Sequence, residues 1–363
     1  MEKPKRFVGL RVKQAREAAD LTQDALAEKL GFNDRQTVSD IENGKRNLRP
    51  EELVAVAQAT DRDVDYFVNP YAVVGEATFA WRVDPRISDD ALNRFEATAG
   101  QWVGLFRWLR DQYGTPPSVL QESLRPPRTF EEADERAEEL CREWNLGEFP
   151  AEKLLETVED RLRVPVIFVD PLREGDKTVS GATCRLNDLS VILINRKEID
   201  SRRNFDLAHE LFHVLTWDAL TPDRRETTNA RGPQRIERLA DHFAAALLMP
   251  RVSLEKRLDI IRSGDTAKLC ELAAAFRVSP SALSYRLLNL GLVSKEKQER
   301  LERCRSAERS EPKPFSLAFM RMLHEAIYRG RISGRKAAKL VGLEFDELQN
   351  LFKQYDLGSP LAA

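Results

Sequence analysis

FDLAHELFHVL (residues 205–215) and IERLADHFAAALLMP (residues 236–250) decide how this chain is read. In the first stretch His209 and His213 stand four residues apart. On a helix both imidazoles then share one face, about one turn apart, within reach of a single ion. Glu210 lies beside them, placed to polarise an attacking water without being a ligand itself. The flanking Phe205, Leu207, Ala208, Leu211, Phe212, Val214 and Leu215 predict a buried helix. Two imidazoles and a carboxylate are costly to bury uncompensated, and a cation removes that cost. A catalytic metal takes a third protein ligand and keeps one position open. The second stretch offers Glu237, read as that third ligand, with Asp241 one turn later on the same face. Asp241 is expected to accept a hydrogen bond from a ligand histidine and so fix its tautomer. His242 points about 100° away from Asp241 around the helix and is read as a surface residue. His324, remote in sequence, is read as structural.

Strand signals precede the histidine motif. VPVIFVD (164–170) and SVILINR (190–196) are rich in β-branched residues, and GATCRL (181–186) is expected to pair with the second. Helices are expected over 202–217 and from about 235 to 249, stopped by Pro250. EEADERAEELCREW and residues 151–163 read as helices before the strands, and 251–363 reads as all helix, divided by the charge-rich segment 294–314. Residues 89–113 form a further amphipathic helix, Asn69–Asp90 a connector, and TPPSVLQESLRPPRT (115–129) a Pro-rich linker.

The N-terminal residues 7–68 read as short helices with tight joints. Thr22 caps one, Gly31 closes it, Asp34 caps the next and Asn43-Gly44 ends it. At 363 residues the chain exceeds one ordinary domain, and its 42% hydrophobic and 32% charged composition is that of a globular protein. A net charge of −2 gives no global attraction to nucleic acid or anionic membrane, although the first fifty residues are mildly basic. Cys141, Cys184, Cys270 and Cys304 form no CxxC pair, which favours a reducing compartment. With no secretory core and no apolar run long enough to span a bilayer, a cytoplasmic protein without membrane contact is expected.

The two opening stretches together resemble the ImmA/IrrE family of metallopeptidases, over roughly residues 150–290. The Glu-ligand arrangement is also similar to that of thermolysin-type zinc peptidases. Where the family often has Asn, this chain has Asp241. GLRVKQAREAADLTQDALAEKLGFNDRQTVSDIENGKRNLRPEELVAVAQATD resembles the Cro/repressor-type (XRE) helix-turn-helix, with a turn (GFND) one residue longer than usual. These resemblances imply a mainly α protein with a small β-sheet: a helical helix-turn-helix domain, a zincin-like α+β metallopeptidase domain and a helical C-terminal region. The expected boundaries are 6–68 for the DNA-binding domain, 69–128 for a helical connector, 129–250 for the peptidase and 251–363 for the C-terminal region.

They further imply a Zn2+ cofactor and a regulatory endopeptidase that cleaves a partner repressor, often one bearing its own helix-turn-helix, in stress, mobile-element or defence circuits. Ser190–Asn195, which looks like the family's edge strand, would hold substrate by strand addition. On double-stranded DNA, Arg35, Gln36 and Asp40 would face base edges, with Gln23, Thr37, Lys45 and Arg46 near phosphates. A role of this module in protein contact or dimerisation stays open, as does homodimerisation of the whole. Two C-terminal segments, 271–293 and 333–352, share a helix-turn-helix rhythm without a basic face and are read as structural or partner-docking helices. Cys184 is read as a small buried hydrophobe, with metal gating by its thiolate as the alternative. Tyr285, Asn195 and Arg203 are not favoured as transition-state donors. The competing functions are a non-proteolytic DNA-binding regulator with a structural or sensory zinc domain, and a toxin–antitoxin component.

Overall fold

The computed structural model describes residues 3–71, 73, 77–83, 86–113, 123–170, 173–174, 177–186, 189–226, 228–229, 232–233, 235–304 and 310–360. Most of the expected Pro-rich linker (residues 115–122) and part of the charge-rich divider (305–309) lie outside these. The molecule is mainly helical with one principal sheet.

Five helices open the chain: α1 (Lys3–Ala18), α2 (Gln23–Lys29), α3 (Arg35–Glu42), α4 (Pro50–Ala59) and α5 (Val64–Val68). Thr22 accepts from the amide of Ala25, and Asp34 accepts from that of Thr37, so both expected caps hold their helices. Gly31 takes the left-handed conformation (φ +69°) that lets the chain leave α2. Val12, Leu26, Val38, Ile41, Val56 and Phe67 form a small core of their own.

Next come β1 (Thr78–Val83), α6 (Asp89–Gln112), α7 (Phe130–Glu143) and α8 (Leu154–Leu162). The sheet continues with β2 (Val166–Val169), β3 (Arg173–Glu174), β4 (Lys177–Leu186) and β5 (Leu189–Asn195), followed by α9 (Asp200–Thr216). After short pairings β6 (Arg225–Glu226), β7 (Thr228–Asn229) and β8 (Gly232–Pro233) the chain enters α10 (Arg235–Leu248). The remainder is α11 (Arg251–Glu255), α12 (Leu258–Ser263), α13 (Thr266–Ala275), α14 (Pro280–Asn289), α15 (Lys295–Glu302), α16 (Leu317–Tyr328), α17 (Gly334–Val341) and α18 (Phe345–Gln354). Among the described residues no helix is long and apolar enough to cross a membrane.

Strand order is β2-β5-β4-β1-β6, with β2 parallel to β5, β4 antiparallel to both β5 and β1, and β6 parallel to β1. Successive residues face opposite sides. Ile192 and Ile194 of β5 meet Leu207, Leu211 and Phe212 of α9 in one core. Val191, Leu193, Cys184, Ala182, Phe79 and Trp81 meet α6 and α16–α18 in a second core on the opposite face. Each fully buried Leu or Phe contributes roughly 1.5–3 kcal/mol, so the apolar stripe of α9 sustains a helix that also buries charge.

Two expectations are corrected here. Ser190–Asn195 is not an edge: β5 lies between β2 and β4, and all seven of its residues are buried. The continuous apolar run marks a strand covered on both faces, and the pairing with β2 and β4 places it inside the sheet. The stretch read as connector contains β1, whose Phe79, Trp81 and Val83 turn to the second core while Arg82 turns the other way. Six residues of period-two alternation beside Pro85 were too short a signal to set against the surrounding helices.

Candidate metal centre

α9 and α10 pack against each other and bring His209, His213 and Glu237 to one point, with a donor atom from each within 4.8 Å of the others. Nε2 of His209 lies 3.2 Å from Nε2 of His213 and 3.2 Å from Oε2 of Glu237, and His213 Nε2 lies 3.7 Å from Glu237 Oε1. An ion holding nitrogen ligands tetrahedrally at about 2.0–2.1 Å places its donors about 3.4 Å apart, so the spacing suits such an ion. Both imidazoles are about 1% exposed or less.

The other nitrogen of His209 fixes the ring. Its Nδ1–H donates to Oδ1 of Asp241 at 2.9 Å, because a carboxylate only accepts. In the neutral ring the lone pair then sits on Nε2, aimed at the point shared with His213 and Glu237. Burial alone pushes the Glu237 carboxyl up, but the neighbouring His209 and His213 outweigh it and hold it well below the usual range. For Asp241 burial also pushes up, and the hydrogen bond with His209 together with the charges of His209 and Arg82 leaves it lowered. Both therefore stand as carboxylates near neutral pH. Two imidazoles and a carboxylate are a donor set suited to zinc and its neighbours among the divalent metals.

Glu210, fully buried, points away from that cluster's α10 side toward β4. Thr183 donates its Oγ1–H to Oε2 of Glu210 at 2.7 Å. Gly181, on the same face of β4, makes room: a Cβ there would lie 3.1 Å from Oε1 of Glu210 and 3.2 Å from the carbonyl of Leu193. Behind His209 sits a further buried carboxylate, Asp206, which is 0% exposed. Arg82 Nη1 reaches its Oδ1 at 3.2 Å and Arg202 Nε reaches the same atom at 3.1 Å. Arg82 Nη2 lies 3.5 Å from Asp241 Oδ1. Among the described residues, Glu210, Glu237, Asp206 and Asp241 stand against Arg82 and Arg202, an excess of two negative charges that one divalent cation would cancel.

Thr183, Gly181, Asp206 and Arg82 escaped the sequence reading. Asp206 and Thr183 are polar residues inside apolar runs, a signal that was available. Nothing in the local pattern points to Arg82. Cys184 faces the second core, away from Glu210, and burial raises its thiol far above the ordinary value, so a gating thiolate is set aside. His242 is half-buried, stacked on Phe130 at 4.5 Å with Nδ1 3.4 Å from Asp134, rather than a loose surface group. His324 contacts Phe352 and the carbonyl of Gly358. Asn195 binds the carbonyl of Val179 in β4, Arg203 binds that of Glu198, and Tyr285 meets Glu302, none of them at this site.

On α3, Arg35 and Gln36 are exposed, and Gln36 donates to Asp40 at 2.9 Å, with Lys45 3.9 Å from the same carboxylate. Thr37 donates to its own cap, Asp34. Gln23 donates to buried Glu42 at 2.7 Å, and Arg46 forks onto Glu52 at 2.7 and 3.1 Å, so these two side chains have internal partners.

Fold and site together define a helix-turn-helix module joined to an α+β unit of metallopeptidase type. Residues 161–288 match the family described as IrrE N-terminal-like domain (peptidase M78), and residues 12–67 match a helix-turn-helix family. These two stretches are thus similar to an IrrE-like metalloprotease domain and to an XRE-type helix-turn-helix. It is similar to two proteins named radiation response metalloprotease IrrE. That of Deinococcus radiodurans is 37% identical over 102 residues, covering 27% of this chain and 30% of the relative. That of Deinococcus deserti is 40% identical over 101 residues, covering 27% of this chain and 35% of the relative. The matched part thus spans about a third of those relatives. The apo competence regulator ComR of Streptococcus vestibularis aligns over 98% of this chain and 100% of its own, at 12% identity and a TM-score of 0.18, too low to carry an argument.

Proposed function

We propose that this chain is a zinc-dependent regulatory endopeptidase that cleaves a partner transcriptional repressor, with its helix-turn-helix module bringing it to operator DNA or to that partner. The observation that carries the reading is the buried convergence of His209, His213 and Glu237 with Glu210 held alongside by Thr183. In this reading His209, His213 and Glu237 hold Zn2+, and Asp241 orients His209. The cation, when bound, supplies Lewis acidity to activate water and polarise the scissile carbonyl. Glu210 takes the proton of the attacking water and returns it to the leaving amine. Thr183 fixes one oxygen of that carboxylate, and the missing Cβ at Gly181 leaves space for the other.

The DNA role assigns Arg35, Gln36 and Asp40 to base edges and Gln23, Thr37, Lys45 and Arg46 to phosphates. Gln23 and Arg46 would exchange their internal partners on binding. The division into 6–68, 69–128, 129–250 and 251–363 belongs to the same proposal, as does a reducing cytoplasmic setting in which the four thiols stay free. The test is to co-incubate the metal-loaded chain with the repressor encoded beside its gene. Limited cleavage is expected, reduced about 10²–10⁴-fold by Glu210→Gln while the metal is retained. Failure to cleave any such repressor under inducing conditions, or an E210Q chain as active as the original, would sink the reading in favour of a non-proteolytic regulator.

A further inference from the structure

Arg82 lies far from the histidine motif in sequence and outside the segment that matches the peptidase family. Its strand reaches the site nonetheless. β1 pairs with β4, and its register slips between Arg82 and Val83. Such an irregularity re-aims a side chain, and here Arg82 is directed at the carboxylates behind His209. The two ends of its guanidinium fork go to different helices: Nη1 to Asp206 of α9 at 3.2 Å, Nη2 to Asp241 of α10 at 3.5 Å. The Asp241 oxygen that faces Arg82 is the one that accepts from His209 Nδ1 at 2.9 Å. Asp241 is 40% exposed at its side chain, so water competes for it and a second anchor matters.

We propose that Arg82 is a positioning residue of the metal centre: by tying Asp241 to Asp206 it holds the hydrogen bond that aims His209 Nε2 at the cation. This rests on the metal-site reading above. Arg202 supplies a comparison within the same site. It also neutralises Asp206, at 3.1 Å, but from the solvent side and without a contact to Asp241. If charge were all that counted, the two arginines would be equivalent; if position counts, only Arg82 touches the aim of His209. Lysine in place of Arg82 keeps the charge but has no fork to span two carboxylates. β1 thereby becomes part of the site, although it lies outside the family match.

The experiment uses the full-length chain, stripped of metal and titrated with Zn2+ against a chromogenic chelator, with the Co2+-substituted absorption spectrum as a second readout. Arg82→Met and Asp241→Asn are each expected to weaken zinc binding about 10–100-fold and to alter the Co2+ spectrum. Their combination should be no worse than D241N alone, because both remove one linkage. R82K should fall between, and R202M should bind as the unaltered chain does. Should R82M not fold, the R82K and D241N pair gives the same cycle. Zinc affinity and spectrum unchanged in the Arg82 variants, additive losses, or an R202M chain as weak as R82M would each overturn the positioning role while leaving the metal site standing. An unaltered chain that binds no stoichiometric metal would overturn both.

Discussion

Two buried carboxylates, one in each half of the molecule, have opposite fates. In the helix-turn-helix module Glu42 is 7% exposed and fully answered from within: Arg16 Nε lies 2.6 Å from one oxygen, and Gln23 donates to the other at 2.7 Å. At the candidate metal centre Glu210 has a threonine hydroxyl as neighbour, and Glu237 faces two imidazoles. A buried charge with a fixed counter-charge is architecture, because its desolvation is offset in the folded chain itself. A group of buried charges with an excess of one sign calls for something from outside. That difference separates a carboxylate answered within its own module from a cluster whose charge a cation would balance.

The comparison is most exposed to failure at these two glutamates. Glu42→Gln removes the buried counter-charge of Arg16, leaving it the Leu21 carbonyl and the exposed Glu17, and is expected to lower the stability of the N-terminal module by up to about 3 kcal/mol, read by chemical denaturation. Glu210→Gln should cost less in the metal-free chain, since it lowers the acidic charge of the cluster while keeping an oxygen to accept from Thr183. Equal losses at both sites would erase the distinction.

A third carboxyl sharpens it. Burial raises Glu159 on α8 to about 7, against lowering hydrogen bonds from the Val166 amide and Ser316. Its proton is held by the folded chain at pH values where the unfolded chain has lost it. Stability from this group is therefore full below about pH 4.5 and falls as pH rises toward 7. The span is on the order of 3 kcal/mol, and Glu159→Gln should flatten that slope in thermal melts taken between those limits. A slope unchanged by E159Q would show that this carboxyl is answered in the way Glu42 is.

In the proposed DNA role, Arg35→Ala should weaken operator binding by about 1–3 kcal/mol in gel shifts without changing the melting temperature, because Arg35 is exposed and holds nothing up. The smallest effect is expected at Gly181. An alanine Cβ would crowd Glu210 Oε1 and the Leu193 carbonyl by a few tenths of an ångström, so Gly181→Ala should slow cleavage about tenfold with zinc affinity retained. Activity equal to that of the unaltered chain would mean that Glu210 need not be held so closely.

The five-residue histidine motif, the helix carrying Glu237 and the caps of α2 and α3 were legible because each depends on neighbours a turn apart. The pairing of GATCRL with the strand after it was legible too, since a short connection leaves few alternatives. Strand order was not. The same apolar run in Leu189–Asn195 fits an edge covered by helices or a strand inside a sheet, and only the arrival of β2 on the side opposite β4 chooses between them.

What the residues determined by themselves was the chemistry available: two imidazoles on one helical face, a carboxylate on the next helix, and a compact N-terminal bundle with its recognition helix capped by Asp34. Periodicity and capping are short-range, so they survive without knowledge of the rest. Tertiary structure alone decided which groups hold that chemistry in place. Thr183 and Gly181 reach Glu210 across the sheet, and Arg82 arrives from a strand more than a hundred residues earlier to grip Asp206 and Asp241. No local pattern encodes such contacts, because they arise where two cores close on opposite faces of one sheet and leave each strand only one side to offer the site.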